Sequence, residues 1–271
     1  MHRMREFTSF VHSTYPEDCA SPNVFTNEDL EEFPGFFGTG FFACRADEVF
    51  YITARHCLTR DRDADIASIA ARLHIPFSLS GRTETTEDCV EFEDIISVRH
   101  NSDEIPGYFL DFVILTVRRS GVPGLHKKLL RRAVKLPPTG QWLDLFMAHP
   151  LVKDGVNAQS GIVCTVVGYP REGSASNIDY PAGLPVEIVS QSVKISGRLA
   201  SVAGFDRYRL EDVSWDGDLN GFSGSPVTIG VPIGDGVNHG LAGMVVTGGA
   251  GKMHFIRIGL IVDALKAASK S

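Results

Sequence analysis

The chain lacks the features that mark several classes of protein. No apolar run approaches the roughly 18 residues of a transmembrane helix, and no continuous apolar stretch follows the basic residues near Met1, as it would in a signal peptide. Positive charge is not in excess either, since the formal net charge is −7, which disfavours general nucleic-acid binding. These absences predict a cytoplasmic protein without a membrane or nucleic-acid partner.

Cysteine is scarce and its spacing is irregular. The five cysteines are Cys19, Cys44, Cys57, Cys89 and Cys164. An odd, scattered set argues against a disulfide framework. No two of them have the Cys-x-x-Cys spacing of a zinc site. We therefore expect no metal or other cofactor, and we expect Cys57 to be a small buried apolar residue.

The patterns that are present indicate an all-β protein. Short β-branched apolar runs are separated by Gly, Pro, Asn and Asp, which is typical of barrels rather than helical bundles. A length of 271 residues suits one large domain or two small ones. The exception is the C-terminal segment Ile258–Ala268, where Ile261, Leu265 and Ala268 share one face and predict a helix.

The run Gly221-Phe222-Ser223-Gly224-Ser225-Pro226 is the most informative segment. A serine between small residues on a tight turn suits a nucleophile, because a substrate carbonyl can approach its hydroxyl closely. The same turn can aim the backbone N–H groups of Gly221 and Ser223 at a developing oxyanion. Such turns are also common between strands, so this run needs support from elsewhere in the chain.

Two further segments supply that support. His56 follows an apolar, β-branched strand that ends in Thr53-Ala54, and Asp111 opens a strongly apolar strand. A serine hydroxyl needs a base to take its proton, and a histidine base needs a carboxylate to fix its tautomer. The sequence therefore predicts a Ser223–His56–Asp111 triad.

Other residues of the same types compete for these roles. His100 and His149 are rival bases, but neither follows an apolar strand that ends in a small residue. The rival carboxylates Asp94 and Asp103 lack the apolar strand that follows Asp111, and the rival nucleophile Ser225 lies two residues after Ser223.

Three blocks of this chain resemble trypsin-like serine peptidases. Ile52–Cys57, Asp111–Leu115 and Gly221–Pro226 are similar to the family's TAAHC, DIAL and GDSGGP blocks, in the same order. Gly38-Thr39-Gly40-Phe41-Phe42 and Val167-Gly168-Tyr169-Pro170 resemble segments of bacterial HtrA-like members, and the strand Ala242–Gly248 resembles the one that lines the substrate channel. The resemblance covers about residues 33–267.

The resemblance implies two six-stranded antiparallel β-barrels of the chymotrypsin type, followed by the C-terminal helix. Residues 1–32 would be an N-terminal extension and 33–268 the peptidase domain. Barrel one would span about 33–118, a linker about 119–160 and barrel two about 161–259. The basic residues 118–132 are expected to be a solvated connection, with a docking patch for an acidic partner as the alternative.

The chain also departs from the family. Phe222 replaces the aspartate of secreted members that are activated by proteolysis, so we expect no activation by that route. The family's cysteine partner for Cys57 would lie near Gly38 or Gly40. Cys44 comes a few residues late for that role, which leaves a Cys44–Cys57 disulfide as a minor alternative.

Substrate binding is assigned by position in the same resemblance. Asp218, Asn220, Val246, Thr247 and Gly248 would form the pocket wall. Gly217 stands where trypsin has its basic-specific aspartate, so a trypsin preference is not supported, although Asp216 or Asp218 would offer a negative wall. Gly248 would leave the mouth open, and Met253 would form an apolar floor.

The resulting expectation is a serine endopeptidase that acts on peptide or protein substrates through an acyl-enzyme. An alternative is a protease-like binding or regulatory module with little turnover, which an activating protein partner would switch on. An esterase of the α/β-hydrolase type is disfavoured, because its order Ser, Asp, His is absent.

Overall fold

The computed structural model of the protein is mainly β-structure. It describes residues 11–12, 15–27, 30–61, 64–77, 84–85, 89–102, 105–120, 124–148, 150, 161–172, 176–179, 187–200, 206–233 and 236–269. The strands are β1 (Ala20–Asn27), β2 (Leu30–Arg45), β3 (Glu48–Thr53), β4 (Leu73–His74), β5 (Glu84–Thr85), β6 (Phe92–Ser102), β7 (Ile105–Val117), β8 (Val134–Lys135), β9 (Val163–Gly168), β10 (Asn177–Asp179), β11 (Glu187–Val189), β12 (Val193–Ala200), β13 (Arg207–Glu211), β14 (Pro226–Ile233), β15 (Gly236–Gly249) and β16 (Lys252–Arg257). The helices in this part of the chain are α1 (Arg55–Leu58), α2 (Ile66–Ala70), α3 (Leu125–Arg132), α4 (Trp142–Ala148) and α5 (Ile258–Ala268).

The second half of the chain forms a closed barrel. Its six strands pair in the order β12-β13-β16-β15-β14-β9, and every pairing between them is antiparallel. Closure leaves no unpaired edge, and the alternation of side chains along each strand fills the interior. The predicted six-stranded second barrel and C-terminal helix are confirmed.

The first half forms a seven-stranded sheet that stays open among the described strands. The order is β4-β1-β2-β3-β7-β6, and the short β8 pairs in parallel with β2. The predicted closed six-stranded barrel is therefore a half-barrel in the first unit. The overall architecture is the chymotrypsin-like pair of β units with a C-terminal helix.

Part of the segment predicted as an N-terminal extension belongs to this sheet. β1 pairs with β2, and β2 already begins at Leu30, so the expected boundary at residue 33 lies inside a strand. Within the predicted linker, α3, β8 and α4 occupy much of 125–148, while 151–160 lie outside the described residues.

One apolar cluster joins the two β units. It contains Phe41, Ile52 and Phe112 from the first sheet, together with Phe222 and Phe255 from the second half, all of them fully buried. Helix α5 packs Ile261 and Leu265 into the same cluster, as its helical spacing predicts. A shared core fixes the two units relative to each other, because buried apolar area is lost if they separate. None of the helices in the described ranges has the length and apolar composition needed to cross a bilayer.

Arg132 is the unusual residue of helix α3. Its neighbour Arg131 is exposed, whereas Arg132 is buried and its guanidinium lies 4.5 Å above the ring of Phe42. It donates to the carbonyls of Ala20 at 2.9 Å and Pro76 at 2.9 Å. Further bonds reach the carbonyls of Asp18 and Phe77. The basic run therefore includes one buried arginine, which acts as a clamp between the start of β1 and the loop after β4.

We expect Arg132→Met to lower the free energy of unfolding by about 3 kcal/mol, because buried carbonyls then lose a charged donor. Urea unfolding measures the change. The matched control is Arg131→Met on the same helix, which should stay within about 0.5 kcal/mol of the wild type. Equal effects of the two substitutions would contradict the clamp.

Candidate active site

His56 stands at the point where a buried strand turns into a one-turn helix. β3 ends at Thr53, Ala54 is extended, and α1 begins at Arg55. The Arg55 side chain turns inward, where its guanidinium lies 4.2 Å from the ring centroid of Phe109. His56 is consequently turned outward, and its side chain is 44% exposed.

Asp111 holds the imidazole of His56. It lies on β7, which pairs with β3, so the two residues meet at one end of the same strand pair. His56 Nδ1 is 2.8 Å from Asp111 Oδ2 and 3.0 Å from Oδ1, and the His56 backbone N–H donates to Oδ1 at 3.1 Å. This geometry favours the tautomer with the proton on Nδ1, which leaves Nε2 as the proton acceptor.

The same contact changes the acidity of the imidazole. The hydrogen bond to Asp111 raises the pKa of His56 to about 10, an interaction with Cys57 contributes to the rise, and partial burial opposes it. A carboxylate at 2.8 Å stabilises the imidazolium form. The raised pKa therefore makes the imidazole of His56 a stronger base than a free imidazole.

Ser223 lies on the turn that leads into β14. Gly221 and Gly224 flank it with φ of 99° and 88°, a region that favours glycine. A side chain at Gly224 would collide with the carbonyl of Thr39, so this glycine is also needed for the close approach of β2. The Gly224 N–H donates to Val245 O at 2.7 Å, which fixes the turn against β15.

The two halves of the predicted triad differ. His56 and Asp111 are in contact, whereas the Ser223 hydroxyl donates to Val246 O at 3.4 Å and no hydrogen bond joins it to His56. The two residues are nevertheless neighbours, because Cys57 Sγ lies 3.5 Å from Ser223 O.

The rival residues do not join this site. Asp94 accepts from the adjacent Ile95 N–H, and the Ser225 hydroxyl is buried without a hydrogen-bond partner in the described part of the chain. His149 and Asp103 lie outside the described residues, as does the side chain of His100.

Two N–H groups of the turn have no acceptor among the described residues, and they are those of Gly221 and Ser223. The other N–H groups of the turn are engaged: Phe222 donates to Leu219 O at 3.2 Å, and Ser225 donates to Phe222 O at 2.9 Å. Phe222 is fully buried, with its ring 5.9 Å from that of Trp215. Phe222 therefore anchors the turn by packing.

The residues predicted to form the pocket wall differ in their surroundings. Asp218 accepts hydrogen bonds from the backbone and side-chain N–H groups of Asn220, so its charge is already engaged. Val246 is buried, while Thr247 and Gly248 are exposed.

The space beside Gly248, expected from the sequence to be open, is filled by a leucine. A Cβ atom at Gly248 would lie 2.8 Å from Leu219 Cδ1, so the leucine packs directly over the glycine. Met253, the expected floor, is fully buried and pairs with Gly248 across the strands.

A cavity of about 250 Å³ lies next to the turn. Its lining residues are Phe36, Gly38, Tyr169, Pro170, Arg171 and Ser176. It adjoins the turn directly, since the Arg171 N–H donates to Asn220 O at 3.0 Å. The sequence did not predict this cavity, because its lining comes from β2 and from the loop after β9, which are far apart in the chain.

The cysteines are free, including Cys44 and Cys57, so the disulfide alternative is wrong. The Cys57 thiol points at Gly38, where a Cβ atom would lie 2.6 Å from Sγ. Glycine thus occupies the position facing Cys57. In the described part of the chain, no group of three His, Cys, Asp or Glu side chains is placed to hold a metal ion.

Comparison with known proteins gives weak similarities only. No family model matches the chain, and no curated protein matches it by sequence. Among solved structures, the NS6 protease of murine norovirus 1 is 12% identical over 82% of this chain and 85% of its own, with a TM-score of 0.38. The protease of tobacco vein mottling virus is 12% identical over 89% and 77%, with a TM-score of 0.40. A structure from work on the intrinsically disordered VPg protein of Sesbania mosaic virus is 15% identical over 95% and 96%, with a TM-score of 0.40.

We expect Asp111→Asn to lower the pKa of His56 from its raised value toward 6.5, because the amide cannot stabilise the imidazolium. NMR titration of the imidazole measures both values. The stabilisation that this pair gives to the folded state is fully present below pH 6.5, and it is lost as pH rises toward 10. A titration midpoint that Asp111→Asn leaves unchanged would contradict the contact.

Proposed function

We propose that this protein is a serine endopeptidase of the chymotrypsin type. The observation that carries the proposal is the Asp111–His56 pair beside a turn whose Gly221 and Ser223 N–H groups have no described acceptor. A polarised base, a hydroxyl and two free donors at one place are the parts that acyl transfer needs.

The chemistry follows from these positions. Ser223 Oγ attacks the scissile carbonyl carbon while His56 Nε2 takes its proton, and Asp111 stabilises the imidazolium. The Gly221 and Ser223 N–H groups bind the oxyanion. His56 then gives the proton to the leaving amine, and water hydrolyses the acyl-enzyme in a second passage through the same steps. Because only neutral His56 is a base, its raised pKa makes the rate increase with pH above neutrality.

The substrate is a peptide or protein segment that crosses the turn. Asp218, Asn220, Val246, Thr247 and Gly248 would contact the residues before the scissile bond. The cavity beside Arg171 adjoins the turn and would take the residues after the scissile bond. The reaction requires no cofactor. A cytoplasmic location and a closer resemblance to bacterial HtrA-like peptidases stay predictions from the sequence.

One observation favours the second candidate function, a protease-like module with gated turnover. The Ser223 hydroxyl is bonded to Val246 O instead of His56. In a gated enzyme a substrate or an activating protein would move this hydroxyl to the base. The Asp111–His56 contact and the N–H groups of Gly221 and Ser223, which have no described acceptor, favour the competent enzyme, because the base and the oxyanion donors are already in place.

We expect a fluorophosphonate probe to label the wild-type protein, and we expect neither Ser223→Ala nor His56→Ala to be labelled. Peptide hydrolysis by Ser223→Ala should fall by roughly 10⁴-fold in kcat, since the members of a triad act as a unit. Gel fluorescence and a quenched-peptide library measure the two effects.

Ser225→Ala is the matched control, because it removes a buried hydroxyl two residues away that has no described partner. This variant should be labelled normally. Near-normal peptide cleavage by Ser223→Ala would rule out the proposed nucleophile. A folded wild type that is neither labelled nor active would favour the gated module.

Leu219 is expected to limit the size of the side chain bound before the scissile bond, because it fills the space over Gly248. Leu219→Ala should raise kcat/KM for a large apolar side chain relative to a small one by roughly tenfold or more. Competition between two peptides measures the ratio. The control is Leu145→Ala on α4, an exposed leucine outside the site, and an unchanged ratio in Leu219→Ala would refute the assignment.

A further inference from the structure

Thr39 on β2 connects three segments around the turn. Its hydroxyl donates to Gly221 O at 2.7 Å and accepts from the Tyr169 N–H at 2.9 Å. The Thr39 N–H also donates to Ser223 O at 2.9 Å. One buried residue of the first sheet therefore holds two carbonyls of a turn that belongs to the barrel.

The peptides that carry the two free N–H groups are anchored through their carbonyls. Asn220 O accepts from the Arg171 N–H at 3.0 Å, and Phe222 O accepts from the Ser225 N–H at 2.9 Å. The N–H and C=O of a planar trans peptide point in opposite directions. Anchoring these carbonyls therefore turns the N–H groups of Gly221 and Ser223 away from the anchors.

Thr39 is itself fixed by a chain of buried side chains. Its carbonyl accepts from Thr53 Oγ1 at 2.8 Å and from Asn23 Nδ2 at 3.2 Å. The Tyr51 hydroxyl donates to Asn23 Oδ1 at 2.8 Å, and Asn23 Nδ2 also reaches Thr53 Oγ1 at 2.8 Å. All four residues are fully buried. A satisfied polar network in a low-dielectric interior is rigid, because each broken bond leaves a buried group without a partner.

We propose that Thr39 is a positioning residue that preorganises the oxyanion-binding turn through its hydroxyl. The inference rests on the proposed function for its catalytic consequence, and on geometry alone for its effect on the turn. The hydroxyl holds the Gly221 carbonyl between the two donor peptides, so its loss frees the turn to rotate. Oxyanion stabilisation depends on donors that are in place before charge develops.

The test compares Thr39→Val, which removes the hydroxyl at constant shape, with Thr39→Ser, which keeps it. Thr228→Val is the matched control, because Thr228 is another buried threonine whose hydroxyl donates to Thr165 O inside the barrel. The first readout is amide hydrogen exchange of the peptide 219–225. The second is kcat and KM for one peptide substrate.

We expect Thr39→Val to speed exchange in 219–225 by roughly tenfold or more and to lower kcat by roughly 10- to 100-fold with little change in KM. Thr39→Ser and Thr228→Val should resemble the wild type in both readouts. Should Thr39→Val fail to fold, Thr39→Cys replaces it, since a thiol is only a weak donor and acceptor, and a smaller change in the same direction is expected.

Unchanged exchange in 219–225 in the folded variant would overturn the proposal whether or not the protein is an enzyme. Equal losses of kcat in Thr39→Val and Thr228→Val would also overturn it, because they would show general destabilisation. A wild type without hydrolysis counts against the proposed peptidase, while the exchange result still decides the role of Thr39.

Discussion

The close approach of the turn 221–224 to strand β2 is the contact on which the candidate site depends. The nucleophile candidate belongs to the barrel, whereas its base and carboxylate belong to the first sheet. Gly224 permits the approach because it has no side chain to strike the Thr39 carbonyl. The hydrogen bond from the Thr39 N–H to Ser223 O then joins the two units at the candidate nucleophile.

The base is prepared within a single sheet. His56 follows β3 and Asp111 lies on the partner strand β7, so their 2.8 Å contact does not depend on how the units dock. Neighbouring segments of one sheet position the two residues, and the carboxylate of Asp111 stabilises the positive charge of the imidazolium. Ser223 is different, because its position relative to His56 depends on the interface of the two units. The Ser–His contact is thus the part of the site that depends on how the two units pack.

Polar groups in the interior have structural tasks here. The buried Arg132 donates to carbonyls of the N-terminal segment and of the loop after β4. The hydrogen-bonded chain of Tyr51, Asn23, Thr53 and Thr39 likewise satisfies buried polar groups next to the turn. Both sets of hydrogen bonds satisfy backbone groups that burial would otherwise leave unpaired. Both also hold an irregular segment in one conformation.

The sequence by itself determined the local features: the barrel strands of the second half, helix α5, and the residues His56, Asp111 and Ser223 as candidates. Each of these is carried by a short pattern, a period or a turn composition that neighbours in the chain define. The open first sheet, with β1 recruited from the predicted extension, was decided only by tertiary structure, as was the leucine over Gly248. The same holds for Thr39, whose partners Gly221 and Tyr169 are more than a hundred residues away in the chain. A hydroxyl in a strand shows no partner in the sequence, because its acceptor is set by how two separately specified β units pack.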